Sequence, residues 1–92
     1  MAGQIKYRIN PVVSFKDEGD EGAVLYNPDI DESIILNPVG SFIWRYLEEP
    51  RASDEIISML TENYSSVNNE QAKVDLEDFI KILEGDFIDA IS

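Results

Sequence analysis

Residues 33–47 read Ser33-Ile34-Ile35-Leu36-Asn37-Pro38-Val39-Gly40-Ser41-Phe42-Ile43-Trp44-Arg45-Tyr46-Leu47, and this junction decides the fold. Ser33 to Leu36 reads as a short strand, apolar on both faces at its end. Asn37 can cap a helix, and Pro38 falls at the first helical position, where its missing N–H costs nothing. Val39, Phe42, Ile43, Tyr46 and Leu47 then recur at helical period along one face. Trp44 lies off that stripe and needs a second surface to cover it. Pro50 ends the helix. A strand that hands over directly to an amphipathic helix separates a strand-and-turn half from a helical half.

Working upstream, Val12 to Lys16 is a strand candidate with Val13 and Phe15 on one face. The DEGDEG stretch, Asp17 to Gly22, is turn chemistry, because glycine permits positive φ. Ala23 to Tyr26 is the next strand, broken by Asn27-Pro28-Asp29. With Ser33 to Leu36 these form a three-stranded antiparallel meander. Lys6 to Ile9 is an additional extended piece. Downstream, Ser53 reads as an N-cap with Asp54 and Glu55 in the first turn, where the helix dipole favours anions. Ile56, Ile57, Leu60 and Tyr64 supply that helix's face, and Tyr64-Ser65-Ser66 is loop. The third helix is capped by Asn68 or Asn69, and Ala72, Leu76, Phe79, Ile80 and Leu83 form its core face. Gly85 suits the position just past its end.

The expectation is an α+β fold, a three-stranded antiparallel sheet followed by three helices, winged-helix-like. One domain spans residues 1–92: an extended or flexible N-terminal segment (1–11), the meander (12–36), a three-helix part (37–84) and a C-terminal tail (85–92). The third strand leaves an unpaired edge, a liability unless covered or used. At about 100° per residue, Val74 and Ile82 fall outside the core stripe of the third helix, with Gln71, Asp75 and Asp78 between or near them. That helix can carry a second, mixed face. The alternative is that Ile82 widens the core stripe and Val74 is simply exposed.

Composition narrows the chemistry. The 92 residues contain no cysteine and no histidine, which removes disulfides, zinc fingers, iron–sulfur clusters, Cys nucleophiles and His general bases. Nineteen acidic residues against seven basic ones give a net charge of −12, which opposes binding to nucleic acid phosphates. In the third helix Lys73 and Lys81 stand against Asp75, Glu77, Asp78 and Glu84, so it is a poor DNA recognition helix. The acidic turns do not match a calcium-binding loop. Ser33 follows Glu32 in a strand-like segment, unlike the Asp-Ser helix start of an acyl carrier. No glycine pattern forms a phosphate loop. No apolar run is near membrane-spanning length, and Met1-Ala2-Gly3-Gln4 lacks a charged start and an apolar stretch, so a cytoplasmic protein is expected. The expectation is no catalytic residue, no cofactor and no metal.

From Gly22 to Ile88 the sequence resembles the PqqD-like family, also called the RiPP recognition element; RiPPs are ribosomally made peptides modified after translation. The resemblance runs through Ala23-Val24-Leu25-Tyr26-Asn27, then Ile35 to Leu47, then Ser53-Asp54-Glu55-Ile56 to Leu60 with Tyr64, and finally Val74 to Leu83. Leu36-Asn37-Pro38 with Gly40 and Ile43-Trp44 is its most specific part.

The resemblance implies peptide binding without catalysis. Such proteins bind the leader of a precursor peptide and present it to a modifying enzyme, such as a radical-SAM protein or a peptidase/cyclase pair of lasso type, or act in pyrroloquinoline quinone biosynthesis. The leader is expected as an added strand on the third strand, beside the third helix. The candidate peptide-binding residues are Ser33, Ile34, Ile35 and Leu36 on the strand, and Gln71, Val74, Asp75, Asp78 and Ile82 on the helix. The strand supplies backbone groups, and the helix supplies side chains that select the peptide. Charge complementarity points to a leader with apolar anchors spaced by Lys or Arg. No nucleic acid or membrane partner is expected, and the chain is expected as a monomer or weak homodimer. The competing reading is a generic protein–protein adaptor of the same fold with no role in peptide modification.

Overall fold

The computed structural model describes residues 5–91. The expectation drawn from Met1–Gln4, and the last residue of the 85–92 segment, lie outside them. The order is β1 (Lys6–Ile9), β2 (Ser14–Asp17), a 3-10 turn (Gly19–Glu21), β3 (Ala23–Asn27), β4 (Glu32–Leu36), α1 (Pro38–Tyr46), β5 (Arg51–Ala52), α2 (Ser53–Asn63), α3 (Asn69–Leu83) and β6 (Ile88–Ile91).

The expected meander is present as the antiparallel sheet β2-β3-β4. Its register places Phe15 opposite Leu25 and Leu25 opposite Ile34, and this row faces the core. The adjacent row, Lys16, Val24 and Ile35, faces away. The first strand of the meander begins at Ser14, later than the expected Val12. The Asn10 side-chain oxygen accepts from the Val12 N–H (3.2 Å), and the Asn10 carbonyl accepts from the Val13 N–H (3.1 Å). These bonds hold Val12 and Val13 in a turn.

A second antiparallel sheet, β5-β1-β6, stands where the sequence pattern predicts only an extended N-terminal piece and a C-terminal tail. It corrects the reading of 85–92 as a tail. Lys6 lies opposite Ile91 and Ile9 opposite Ile88, so the two ends of the described chain complete each other's ladders. Phe87 and Ile88 are buried in the core. The apolar residues of this terminal segment therefore belong to the main hydrophobic cluster. Between the sheets, the Asn27 side-chain amide is buried and donates to the Asp86 carbonyl at 2.6 Å, while its oxygen accepts from the Asp29 N–H at 2.8 Å. Asn27 thus ties the end of β3 to the segment before β6.

The helix starts follow side-chain chemistry. The Asn37 oxygen accepts from the Gly40 N–H at 2.7 Å and caps α1. The Asn68 oxygen accepts from the Gln71 N–H at 2.8 Å, so Asn68 rather than Asn69 caps α3. Ser53 is not the cap of α2 but its first residue. Ala52, the end of β5, occupies the cap position, and Glu55 reaches back to accept from the Ala52 N–H at 2.8 Å. Past α3, Gly85 has φ of +104°, the left-handed exit that glycine makes at least strain.

A single apolar cluster joins these elements. Leu25 and Leu36 of the first sheet meet Ile43 and Leu47 of α1, Ile56 and Leu60 of α2, Leu76 and Leu83 of α3, and Ile88 of β6. The surface that Trp44 requires comes from β2. Phe15 stacks on its indole with centroids 6.4 Å apart and planes 6° from parallel. The Arg45 guanidinium lies 5.7 Å from the Phe15 centroid and pairs with Asp17, which closes the stack at the surface.

Gly22 positions the strand-to-helix junction. Its φ is +106°, and a Cβ there would lie 1.8 Å from the Leu36 carbonyl oxygen. Only glycine lets β3 start this close to the end of β4.

Candidate functional site: an open strand edge over an acidic-walled groove

β4 pairs with β3 on one side and with no strand on the other among the described residues. In an antiparallel pair, alternate residues point N–H and C=O away from the partner strand. The free side of β4 therefore carries a row of unmatched backbone donors and acceptors. Ile35, at its centre, is 80 % exposed, while Leu36 turns into the core.

That edge borders a groove of about 180 Å³ between β4, the start of α1 and α3. Ile34, Ile35 and Leu36 form one bank, and Asp75, Asp78 and Ile82 form the other. The floor is apolar, from Val39 and Ile43 of α1 and Phe79 and Leu83 of α3, with Asn37 and Gly40 at the α1 end. Ile82 is 62 % exposed on the rim, whereas Phe79 and Leu83 are buried. The groove thus has a dry base, an open mouth, and hydrogen-bonding groups along one bank.

Six of the nine residues expected at the site share this groove: Ile34, Ile35, Leu36, Asp75, Asp78 and Ile82. Ser33, Gln71 and Val74 do not line it. Ser33 lies on the outward row of the sheet, opposite Tyr26. Gln71 sits one turn beyond the groove, and its side-chain amide donates to Asp75 Oδ1 at 2.9 Å, which orients that carboxylate. Val74 is half exposed on α3. The floor residues Val39, Ile43, Phe79 and Leu83 are not among the nine expected at the site. They belong to the apolar stripes of α1 and α3, and their periodicity announces burial without saying that a cleft opens above them.

Neither Lys73 nor Lys81 of α3 lines the groove; both line a separate depression with Tyr7, Ile57 and Ile80 on the helix's other flank. Glu77 lines that depression beside them, so the lysines of α3 stand away from the groove while its carboxylates stand on both flanks.

The family model described as coenzyme PQQ synthesis protein D (PqqD) matches residues 22–86. The chain belongs to the PqqD family. The match contains the whole of β3, β4 and the three helices, and so every residue of the groove. Two solved structures share the fold. One, described as TbiB1 in complex with the TbiA(beta) leader peptide, is 32 % identical over 83 % of this chain and 86 % of that one, with a TM-score of 0.70. The other, described as lasso peptide synthetase B1 complexed with the leader peptide, is 24 % identical over 94 % of this chain and 98 % of that one, with a TM-score of 0.69. At that lower identity the likeness concerns the fold alone. A search of curated proteins finds no match to this chain. The PqqD assignment agrees with the resemblance carried by the Leu36-Asn37-Pro38 junction, and it extends over β3, β4 and the three helices.

Proposed function

We propose that this PqqD-family chain is a non-catalytic module that binds the leader of a ribosomally made precursor peptide. The leader lies in the groove as an added strand on β4, beside α3, and is presented to a modifying enzyme. That enzyme is of radical-SAM or lasso peptidase/cyclase type, or belongs to pyrroloquinoline quinone biosynthesis. The observation that carries this reading is the unpaired edge of β4 opening onto an apolar-floored groove. Backbone pairing along β4 supplies affinity with little sequence demand, and the side chains of α3 and the floor select the residues that point inward. The solved structure 32 % identical to this chain is a complex with a leader peptide, which supports the same class of occupant here.

An edge interface of this size corresponds to micromolar to nanomolar affinity, about −8 to −12 kcal/mol. A disordered leader loses conformational freedom on docking, which lowers the net figure. Once bound, its tethered core peptide is held near the partner enzyme at high effective concentration. Among the described residues, no helix is long and apolar enough to cross a membrane. In this reading the chain works in the cytoplasm, where the precursor is made, as one module over residues 1–92.

The test is a ¹⁵N NMR titration with the leader of the precursor encoded beside this gene. Saturable shifts at residues 33–36 and on the groove flank of α3 are expected. A flat titration, with this leader and with leaders from related gene clusters, would leave the adaptor reading in its place.

A further inference from the structure

We infer that the groove selects a cationic peptide: a Lys or Arg two residues from an apolar side chain, both pointing toward α3. The inference rests on the peptide-binding reading of the same groove and names the peptide class that it takes.

The groove wall contributes Asp75 and Asp78, and no lysine or arginine lines it. Asp75 is held by Gln71, and neither carboxylate forms an ion pair among the described residues. The lysines of the same helix lie on its other flank, with Glu77 beside them, so no cation of α3 reaches the groove. The acidity at the groove is therefore a local arrangement as well as a share of the chain's net charge. Asp75 is partly buried and Asp78 exposed, so a cation gains there chiefly when the docked peptide covers both carboxylates against the apolar floor and excludes water from them.

Spacing sets the pattern. Asp75 and Asp78 lie four to seven residues before Ile82 on α3, a distance of roughly 6–10 Å at 1.5 Å per residue. A strand advances about 6.6 Å over two residues and returns its side chains to the same face. One inward side chain thus meets the carboxylates, and the next inward one meets Ile82 and the floor residues Phe79 and Leu83. The intervening residue points outward and is free to vary.

The experiment is a selection of random 15-residue peptides by mRNA display against the intact protein, followed by affinity measurements on the enriched peptides. The expected result is enrichment of a basic residue two positions from an aliphatic or aromatic one. The double variant Asp75→Asn, Asp78→Asn should weaken those peptides by about tenfold, with a reduced dependence on salt. The control Glu48→Gln, Glu49→Gln makes the same change in net charge away from the groove and should leave binding within twofold. Equal losses in the two variants would assign the effect to net charge and overturn the inference. Enriched peptides that shift the amides of residues 34–36 but show no basic preference would also overturn it, with the peptide-binding reading intact. If no enriched peptide perturbs β4, both fall together.

Discussion

Replacing Gly22 by alanine should break the junction on which the groove depends. The backbone there has φ of +106°, and the new Cβ would sit 1.8 Å from the Leu36 carbonyl oxygen and 2.9 Å from the Leu36 and Asn37 carbonyl carbons. These are backbone atoms, so no rotamer change relieves the contact. The left-handed φ alone costs about 1–2 kcal/mol. Displacing Leu36 and Asn37 also disturbs the Asn37 cap of α1, worth about 1 kcal/mol, and draws the buried Leu36 from its packing, about another 1 kcal/mol or more. The sum is at least about 3 kcal/mol, against a total stability of roughly 5–14 kcal/mol for a chain of this length. The corresponding drop in Tm is about 12–24 °C. Gly19→Ala is the internal comparison. Gly19 also has positive φ, +66°, but no atom lies within 4 Å of its Cβ position, so it should lose only about 1–2 kcal/mol. Urea unfolding followed by the fluorescence of Trp44, the one tryptophan, reads both. A Gly22→Ala protein within 1 kcal/mol of the parent, or no less stable than Gly19→Ala, would refute the close-approach argument.

Three further outcomes follow from the same geometry. Phe15→Ala should uncover the Trp44 indole, shift its emission to longer wavelength and cost about 1.5–3 kcal/mol; an unchanged spectrum would count against the stack. The Tyr26 hydroxyl donates to Asp31 Oδ1 at 2.7 Å, and this bond, with a smaller contribution from burial, raises the phenol above its ordinary value. Because the folded value is raised, the bond's stabilisation is full below the unfolded value of about 10 and is lost as pH climbs through the folded one. An absorbance titration should show one tyrosine titrating late, and Asp31→Ala should return it to the ordinary range. Finally, Ile82→Ser should weaken leader binding by roughly tenfold, the loss of about 1.4 kcal/mol of apolar contact. Val74→Ser, off the groove, should leave binding unchanged; equal effects by calorimetry would contradict the placement of the two residues.

The features legible in the sequence are those set by neighbours a few residues apart. Asn37 and Pro38 announce α1 because a cap and its N–H partner are three residues apart, and Asn68 does the same for α3. Trp44 declares by its off-stripe position that something must cover it, although Phe15 is not identifiable as the cover until the sheet is placed. The second sheet is illegible for the opposite reason. Each of its strands has two to four residues, too few for a clear period, and its pairings join Lys6–Ile9 to Ile88–Ile91 across nearly the whole chain. The bond from Asn27 to Asp86 spans 59 positions, and nothing local to Asn27 calls for it.

The site shows the same division. Periodicity separates α3 into a core stripe and its flanks, which is why Asp75, Asp78 and Ile82 could be named. It does not say how far round the helix the groove extends. Gln71 and Val74 share the polar side of the wheel, yet one braces Asp75 from the next turn and the other is left at the surface. Nor does it say that Phe79 and Leu83, core by pattern, also floor a cleft. That follows only from the gap between α3 and an unpaired β4.

The most direct test of the central claim is amide hydrogen exchange of residues 32–36 with and without the leader of the neighbouring precursor. Strand addition predicts that the outward-pointing amides of β4, alternate along the strand, become protected on binding, while those already bonded to β3 change little. Saturable leader binding that leaves every β4 amide exchanging as before would contradict it.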